Sequence, residues 1–227
     1  MRTVNKKIFL ISLQKINFLL ILVFTVLHIA YIDTPFVNLE WLFRDGAQYF
    51  LTGNQKLLDS YFYGQANPLT YSYFTSFLIK ISKIDYYSFY RLPALFGGIL
   101  LLIILAKKEL SWLVIIVALN PLVWIYSGRA YPEVFGLSLM LLAYEFKNRP
   151  VVCGFLAIFS GVIKYHSLPI ILLNSSLRWI LINYKEKFRK WNNINFSINI
   201  FILIGSLIFF IIYHELFNVW IVPEKHH

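Results

Sequence analysis

The chain has 227 residues, 59% hydrophobic and 14% charged, with 21 Lys and Arg against 11 Asp and Glu, a net charge of +10 and a mean hydropathy of +0.64. Soluble domains are about half apolar and about a quarter charged, and here the excess arrives in long blocks, which excludes a soluble globular protein and predicts an all-α, polytopic membrane helical bundle. The Lys and Arg residues cluster between the apolar runs, which reads as orientation in a membrane rather than nucleic-acid binding.

The single cysteine, Cys153, lies in an apolar run and excludes an internal disulfide or a cysteine zinc site. No small-residue cleavage site follows the first apolar stretch, so the N-terminus is expected to stay as an anchor rather than be removed as a signal.

In chain order the apolar runs are Ile16–Ile32, Leu69–Ile81, Leu92–Ala106, Ser111–Ser127, Glu133–Phe146, Val151–His166, Leu168–Asn183 and Phe196–Phe217. A membrane span needs roughly 17 to 25 residues. The second run is too short and carries Lys80 near its end. If it does not span, Arg2, Lys6, Lys7 and Lys15 fall on the cytoplasmic side. Lys107 and Lys108 join them, as do Lys147 and Arg149, then Arg178, Lys185, Lys187, Arg189 and Lys190. If it does span, the last three of these clusters cross to the outside, against the positive-inside rule. The expected topology is therefore seven spans with a cytoplasmic N-terminus. It comprises a first extracytoplasmic loop over 33–90, a central module over 91–183, a basic cytoplasmic loop over 184–195 and a last span over 196–217.

Within the first outer loop, "EWLFRDGAQYFLTG" predicts a helix over about 39–51 that puts Leu42, Asp45 and Tyr49 on one face. A carboxylate on such a surface is a candidate proton acceptor, its basicity raised by burial and lowered by a cation such as Arg44. A solvated loop acid paired with Arg44 explains the same spacing. Asn67-Pro68 marks a helix start, Asn as cap and Pro in the first turn. The helix after it, "LTYSYFTSFLIKI", is expected to lie on or dip into the outer face, in keeping with its Trp- and Tyr-rich surroundings.

Further on, Arg91 opens the second span and is either an interfacial anchor or a phosphate-binding fork. In "NPLVWIYSGRAYPEVFG", Pro132 opens a helix with Glu133 in its first turn, a position the helix dipole favours for structural reasons alone. Arg129 emerges on the same side and is a candidate ligand for anionic groups or a snorkelling interfacial residue. Lys164 lies 15 residues beyond Arg149. At roughly 1.5 Å per residue that is over 20 Å of helix, which brings Lys164 toward the outer surface. His166 has no second ligand in register for a metal. His28 and His214 read as polar positions within helix packing. There is no phosphate-cradling Gly-rich loop with Lys-Ser/Thr, no HExxH and no GxSxG. No cytosolic stretch is long enough for a nucleotide-sugar-binding domain, so an activated substrate would arrive through the membrane.

The order of "RDGAQYFLTG", "NPLTYSYFTSFLIKI", "RLPALFGGILLLIILAKK", "ALNPLVWIYSGRAYPEVFGLSLMLLAYE" and "GFLAIFSGVIKYHSLPIILL" resembles the N-terminal module of the GT-C superfamily of integral membrane glycosyltransferases. That group includes the protein O-mannosyltransferases and lipid A aminoarabinose transferases. The resemblance covers about residues 10–185. It implies transfer of a sugar, with inversion, from a polyprenyl-phosphate-linked donor to an acceptor on the extracytoplasmic side of a prokaryotic plasma membrane. It further implies Asp45 as base and Glu133 as the second-loop acid that positions substrate or a divalent cation. Arg44, Tyr49, Asn67, Arg91, Arg129, Lys164 and His166 would be substrate-binding, with Arg91, Arg129 and Lys164 the cations placed to hold the lipid phosphate. The pattern departs from the family's in Gly46, where many relatives carry a second acid, and in Asn67, where they carry His. The chain resembles one module of longer proteins, which leaves open a minimal enzyme, a fragment, a subunit that needs a partner and an inactive descendant. The alternative functions are a non-catalytic or flippase-like subunit of cell-envelope glycan assembly and a polysaccharide polymerase.

Overall fold

The computed structural model describes residues 2–37, 40–64, 69–107, 112–164 and 193–217, together with positions 170, 173, 176, 177 and 180. Among these residues the elements are all helices: α1 (Arg2–Tyr31), α2 (Glu40–Thr52), α3 (Gln55–Gly64), α4 (Thr70–Ser82), α5 (Tyr87–Ala106), α6 (Leu113–Ala118), α7 (Pro121–Gly128), α8 (Glu133–Glu145), α9 (Pro150–Ile163) and α10 (Asn193–Phe217).

Three of them are long and apolar enough to cross a membrane: Leu13–Tyr31 within α1, all of α5, and Ser197–Leu216 within α10. At about 1.5 Å per residue, α5 is about as long as a hydrocarbon core is thick. It is also the central helix, with 56% of its residues buried against 17% and 22% in the spans of α1 and α10. Those two turn Phe18, Leu19, Ile29, Leu207 and Ile208 outward, an apolar surface suited to lipid rather than water.

Two of the other runs expected to span, Glu133–Phe146 and Val151–His166, hold shorter helices. α8 has 13 residues and α9 has 14. The run Ser111–Ser127 is not one helix but two, α6 and α7, broken at Asn120–Pro121. Asn120 is extended (φ −74°, ψ 120°), and its side-chain oxygen accepts the N–H of Leu122 at 2.9 Å. Proline disfavours α geometry in the residue before it and lacks the N–H that would continue the ladder. Most of the run Leu168–Asn183, together with Asn67-Pro68, His166 and most of the basic loop, lies outside the described residues.

Helices α9 and α10 run side by side in the same direction, with Gly154 against Phe201 and Gly205 against Ile158. α5 packs on α8, α8 on α9, and α9 on α10, while α1, α6 and α7 line the opposite flank of α5. The end of α1, the start of α5, the turn between α7 and α8, and the end of α9 are thereby gathered at one end of the bundle, the head end. Lys107 caps α5 and Arg149 caps α9 at the other, where Lys147 follows the end of α8. Small residues allow the closest packing: a Cβ on Gly97 would lie 2.5 Å from the Phe135 Cα, so α5 and α8 touch backbone to backbone. Helices α2, α3 and α4 cover the head end, with α2 packed on both α3 and α4. Their core is aromatic: Phe43 meets the rings of Tyr61, Tyr71 and Tyr131 edge-on.

Candidate functional site

The head end is organised by a buried carboxylate. Glu40 opens α2 and is 0% exposed. Its Oε1 accepts from Arg91 Nε at 2.8 Å and from the Ala130 N–H at 2.8 Å. Its Oε2 accepts from Arg91 Nη2 at 3.0 Å, the Val37 N–H at 3.0 Å and Arg129 Nη1 at 3.3 Å. Burial alone would raise the Glu40 pKa. The bonds from Arg91, Val37 and Ala130 and the guanidinium charge outweigh that and hold it below the ordinary carboxylate value.

Arg91, one turn into α5, is fully buried. Its remaining donors go to the carbonyls of Ile32, Thr34 and Pro35 and to the Thr34 hydroxyl. Between them, Glu40 and Arg91 tie the α1–α2 connection, α5 and the α7–α8 turn together. This guanidinium faces inward, so the structure places Arg91 within the scaffold of the head end rather than on its open side.

The α7–α8 turn held by Glu40 delivers two sequence-predicted residues. The Arg129 side chain is 31% exposed, with a single long contact to Glu40. Glu133 begins α8 directly after Pro132, as the sequence predicts. Lys164 caps the end of α9 in extended geometry, and its Nζ donates to Glu133 Oε1 at 2.7 Å. The pair is half-buried, with the side chains of Lys164 and Glu133 19% and 34% exposed. The other carboxylate oxygen, Oε2, is buried with no hydrogen-bond partner among the described residues. Below it lies Tyr61, sealed on all sides. Its hydroxyl is pushed well above the ordinary tyrosine value, first by burial and then by Tyr213 and the Glu133 charge.

Asp45 is held from a different side. Ser60 of α3 donates to its Oδ2 at 2.9 Å, and its neighbour Gly46 packs so tightly that a Cβ there would meet the Ser72 hydroxyl and the Tyr61 ring. Arg44 does not pair with Asp45; its guanidinium lies 5.2 Å from the centre of the exposed Trp41 ring. Tyr49 packs edge-on against Phe50. The head end thus presents two acids in distinct settings: Glu133 neutralised by Lys164, and Asp45 held by a hydroxyl. Among the described residues no group of three His, Cys, Asp or Glu side chains could hold a metal ion.

Sequence reasoning missed Glu40. A signal was available: a glutamate opening a helix whose carboxylate turns back to an N–H three residues earlier, a relative of the capping box. It also missed the link between α2 and the start of α5. There Gln48 donates to Asp85 at 2.8 Å and to the Tyr90 hydroxyl at 2.7 Å, and Tyr90 donates to Asp85 at 2.7 Å. No family model matches the chain, and no curated protein or solved structure matches it.

Proposed function

We propose that the chain is a multi-pass membrane glycosyltransferase that takes a sugar from a polyprenyl-phosphate-linked donor and passes it to an acceptor at the head end. In this reading the shorter helices complete seven spans, the N-terminus is cytoplasmic and the head end faces outward. The observation that carries it is the half-buried Lys164–Glu133 pair at 2.7 Å, set at the same end as Asp45 and Arg129. A structural bundle has no need to gather ionisable side chains from α2, the α7–α8 turn and α9 at its rim. The ordered resemblance to the GT-C module gives those residues roles.

The acceptor hydroxyl attacks the anomeric carbon, and Asp45 takes its proton. The bond from carbon to phosphate oxygen breaks, and the polyprenyl phosphate departs against Lys164 and Arg129. Stabilising the charge that grows on the leaving phosphate is the larger contribution, and proton removal adds roughly a hundredfold or more. Glu133 holds Lys164 in place. A partner subunit remains part of the proposal.

A second reading, a non-catalytic or flippase-like subunit of glycan assembly, is favoured by the Glu40–Arg91 pair, the most completely bonded charges at the head end and wholly internal. One experiment separates the two. Membranes carrying the wild type, Asp45→Asn or Glu133→Gln are incubated with a panel of polyprenyl-phosphate sugars. Transfer by the wild type that falls by about a hundredfold in Asp45→Asn supports catalysis. Equal transfer by all three overturns the residue assignments, and no transfer by the wild type with any donor favours the second reading.

A further inference from the structure

Helix α4 is built inside out. Tyr71, Ser72, Thr75, Ser76 and Ile79 form its buried face, and the four hydroxyls on that face are all bonded to backbone carbonyls, that of Tyr71 to Tyr90 at 2.9 Å. Ser72 donates to Phe43 at 3.0 Å, Thr75 to Ser72 at 2.8 Å, and Ser76 to Tyr73 at 2.7 Å. The opposite face is apolar and open: Tyr73 is 56% exposed, Phe77 50%, Ile81 66% and, just past the helix, Ile84 44%. These positions recur at three- and four-residue spacing and make one stripe. A helix covered by water has the reverse polarity, so the stripe calls for an apolar cover.

Three further features identify that cover as lipid. The first is depth. Phe74 stacks on Phe135 at 5.9 Å and meets Phe159 at 6.5 Å, which places α4 beside the head-end turns of α8 and α9 rather than above them. The second is length. Thirteen residues reach about 20 Å, less than a hydrocarbon core of about 30 Å, and α4 ends at the exposed Lys80 and Lys83 rather than in further apolar chain. The third is charge. Lys80 and Lys83 are exposed at the end of the stripe and form no ion pair among the described residues. The backbone holds Lys83 there in the left-handed region at φ 58°, its N–H bonded to the Ile79 carbonyl at 2.8 Å. Ammonium groups on flexible stems at the rim of an apolar stripe suit lipid phosphates.

We propose that the Tyr73–Phe77–Ile81–Ile84 face of α4 is a lipid-docking surface, sunk into the leaflet at the head end, with Lys80 and Lys83 on the phosphates of anionic lipids. The proposal is independent of sugar transfer and stands whichever reading of the head end holds.

The test uses the full chain, with Cys153→Ala as background, reconstituted in vesicles of phosphatidylcholine with or without one part in three phosphatidylglycerol. A nitroxide is placed at Phe77→Cys or Ile81→Cys. Leu207→Cys on the outer face of α10 serves as the lipid reference, and Gln55→Cys at the exposed start of α3 as the water reference. Collision with oxygen and with a water-soluble nickel chelate is read by power saturation. The oxygen-to-nickel ratio at 77 and 81 is expected to match position 207 and to exceed position 55 several-fold. Lys80→Glu with Lys83→Glu is expected to lower the ratio in the phosphatidylglycerol vesicles alone. A ratio equal to that at position 55 overturns the proposal in favour of an aqueous face. Exclusion of both reagents overturns it in favour of a protein partner, such as a second copy. A lipid-like ratio unchanged by charge reversal overturns the phosphate contact.

Discussion

Arg91 and Glu40 lie 51 residues apart in the chain and meet as a two-pronged pair, Nε to Oε1 at 2.8 Å and Nη2 to Oε2 at 3.0 Å, with both side chains sealed from solvent. Each also bonds a backbone group from another segment, so the pair sets the relative positions of the α1–α2 connection, α5 and the α7–α8 turn. Removing one partner strands the other in a dry interior. Arg91→Met is expected to destabilise the fold by about 3 to 5 kcal/mol, and Glu40→Leu by a similar amount. The double variant is expected to cost less than the sum of the singles, because no charge is left unpaired. Thermal unfolding in detergent micelles reads all three. Additive losses would show that the two residues act separately.

The same pair sets a direction for pH dependence. Glu40 has its pKa lowered in the fold, so the folded state holds the carboxylate charged more tightly than the unfolded chain does. Its contribution is fully present above the unfolded value of 4.5 and is lost as pH falls through the lower native value. The melting temperature is therefore expected to be flat in this respect near neutrality and to fall below the ordinary carboxylate range. In Glu40→Gln the wild-type protein's excess stability over the variant should shrink along that same acid limb. An excess that grows with acidification would contradict the sign.

The Lys164–Glu133 pair behaves differently because it is partly open. Exposed or half-exposed pairs contribute about 1 kcal/mol or less, so Lys164→Ala and Glu133→Gln are expected to leave the melting temperature within a few degrees of the wild type. Under the proposed chemistry, Lys164→Ala raises the apparent KM for the polyprenyl-phosphate donor. Lys164→Arg keeps part of the affinity through charge alone. Donor titrations with membranes of each variant test this. A KM unchanged in Lys164→Ala removes that residue from the donor site.

Reading the chain's cations as a topological signal has its own test. Lys147 and Arg149 sit at the end of the bundle opposite Asp45, and the proposed orientation puts them in the cytoplasm. In inverted and right-side-out vesicles, an impermeant maleimide is expected to label Asp45→Cys from the outside and Arg149→Cys from the inside. Labelling of both from one side would contradict the span pattern, and both sites reversed would invert the orientation.

Much of this architecture is legible in the sequence. Glu133 after Pro132, and Lys164 one helix length beyond Arg149, follow from local helix signals and a rise per residue, and both residues sit where those signals put them. The helix carrying Asp45 matches the expected one to within a residue at each end. The break at Asn120–Pro121 is legible too: the same Asn-Pro pair at residues 67 and 68 is read as a helix start, yet hydrophobicity across Ser111–Ser127 obscures it. Glu40 is harder to find. Its role depends on Arg91 and the Ala130 N–H, contacts 51 and 90 residues distant that no local pattern encodes. Arg91 reads as an interfacial cation for the same reason: a charge in an apolar helix signals a partner without saying which.

Two glycines separate packing from backbone strain in the framework that carries the head end. Gly97 faces the Phe135 backbone so closely that a Cβ would stand 2.5 Å from that Cα, and backbone has no rotamer with which to retreat. Gly97→Ala must push α8 from α5, an overpacking cost of about 1 to 3 kcal/mol. Because Glu133 starts α8 two residues before Phe135, the same shift is expected to loosen its bond to Lys164. Gly53 has open space around it but sits at φ +70°, where a side chain meets its own backbone. Gly53→Ala is expected to cost about 1 to 2 kcal/mol through that strain. It should leave the α5–α8 contact intact, since Gly53 lies between α2 and α3. Melting in micelles gives the two stability losses. A disulfide-trapping rate between cysteines introduced at Leu101 and Leu139, each one turn beyond the Gly97–Phe135 contact on α5 and α8, distinguishes their causes: it should fall in the Gly97 variant and hold in the Gly53 variant. Equal rates in both would mean that α5 and α8 absorb the extra methyl without separating.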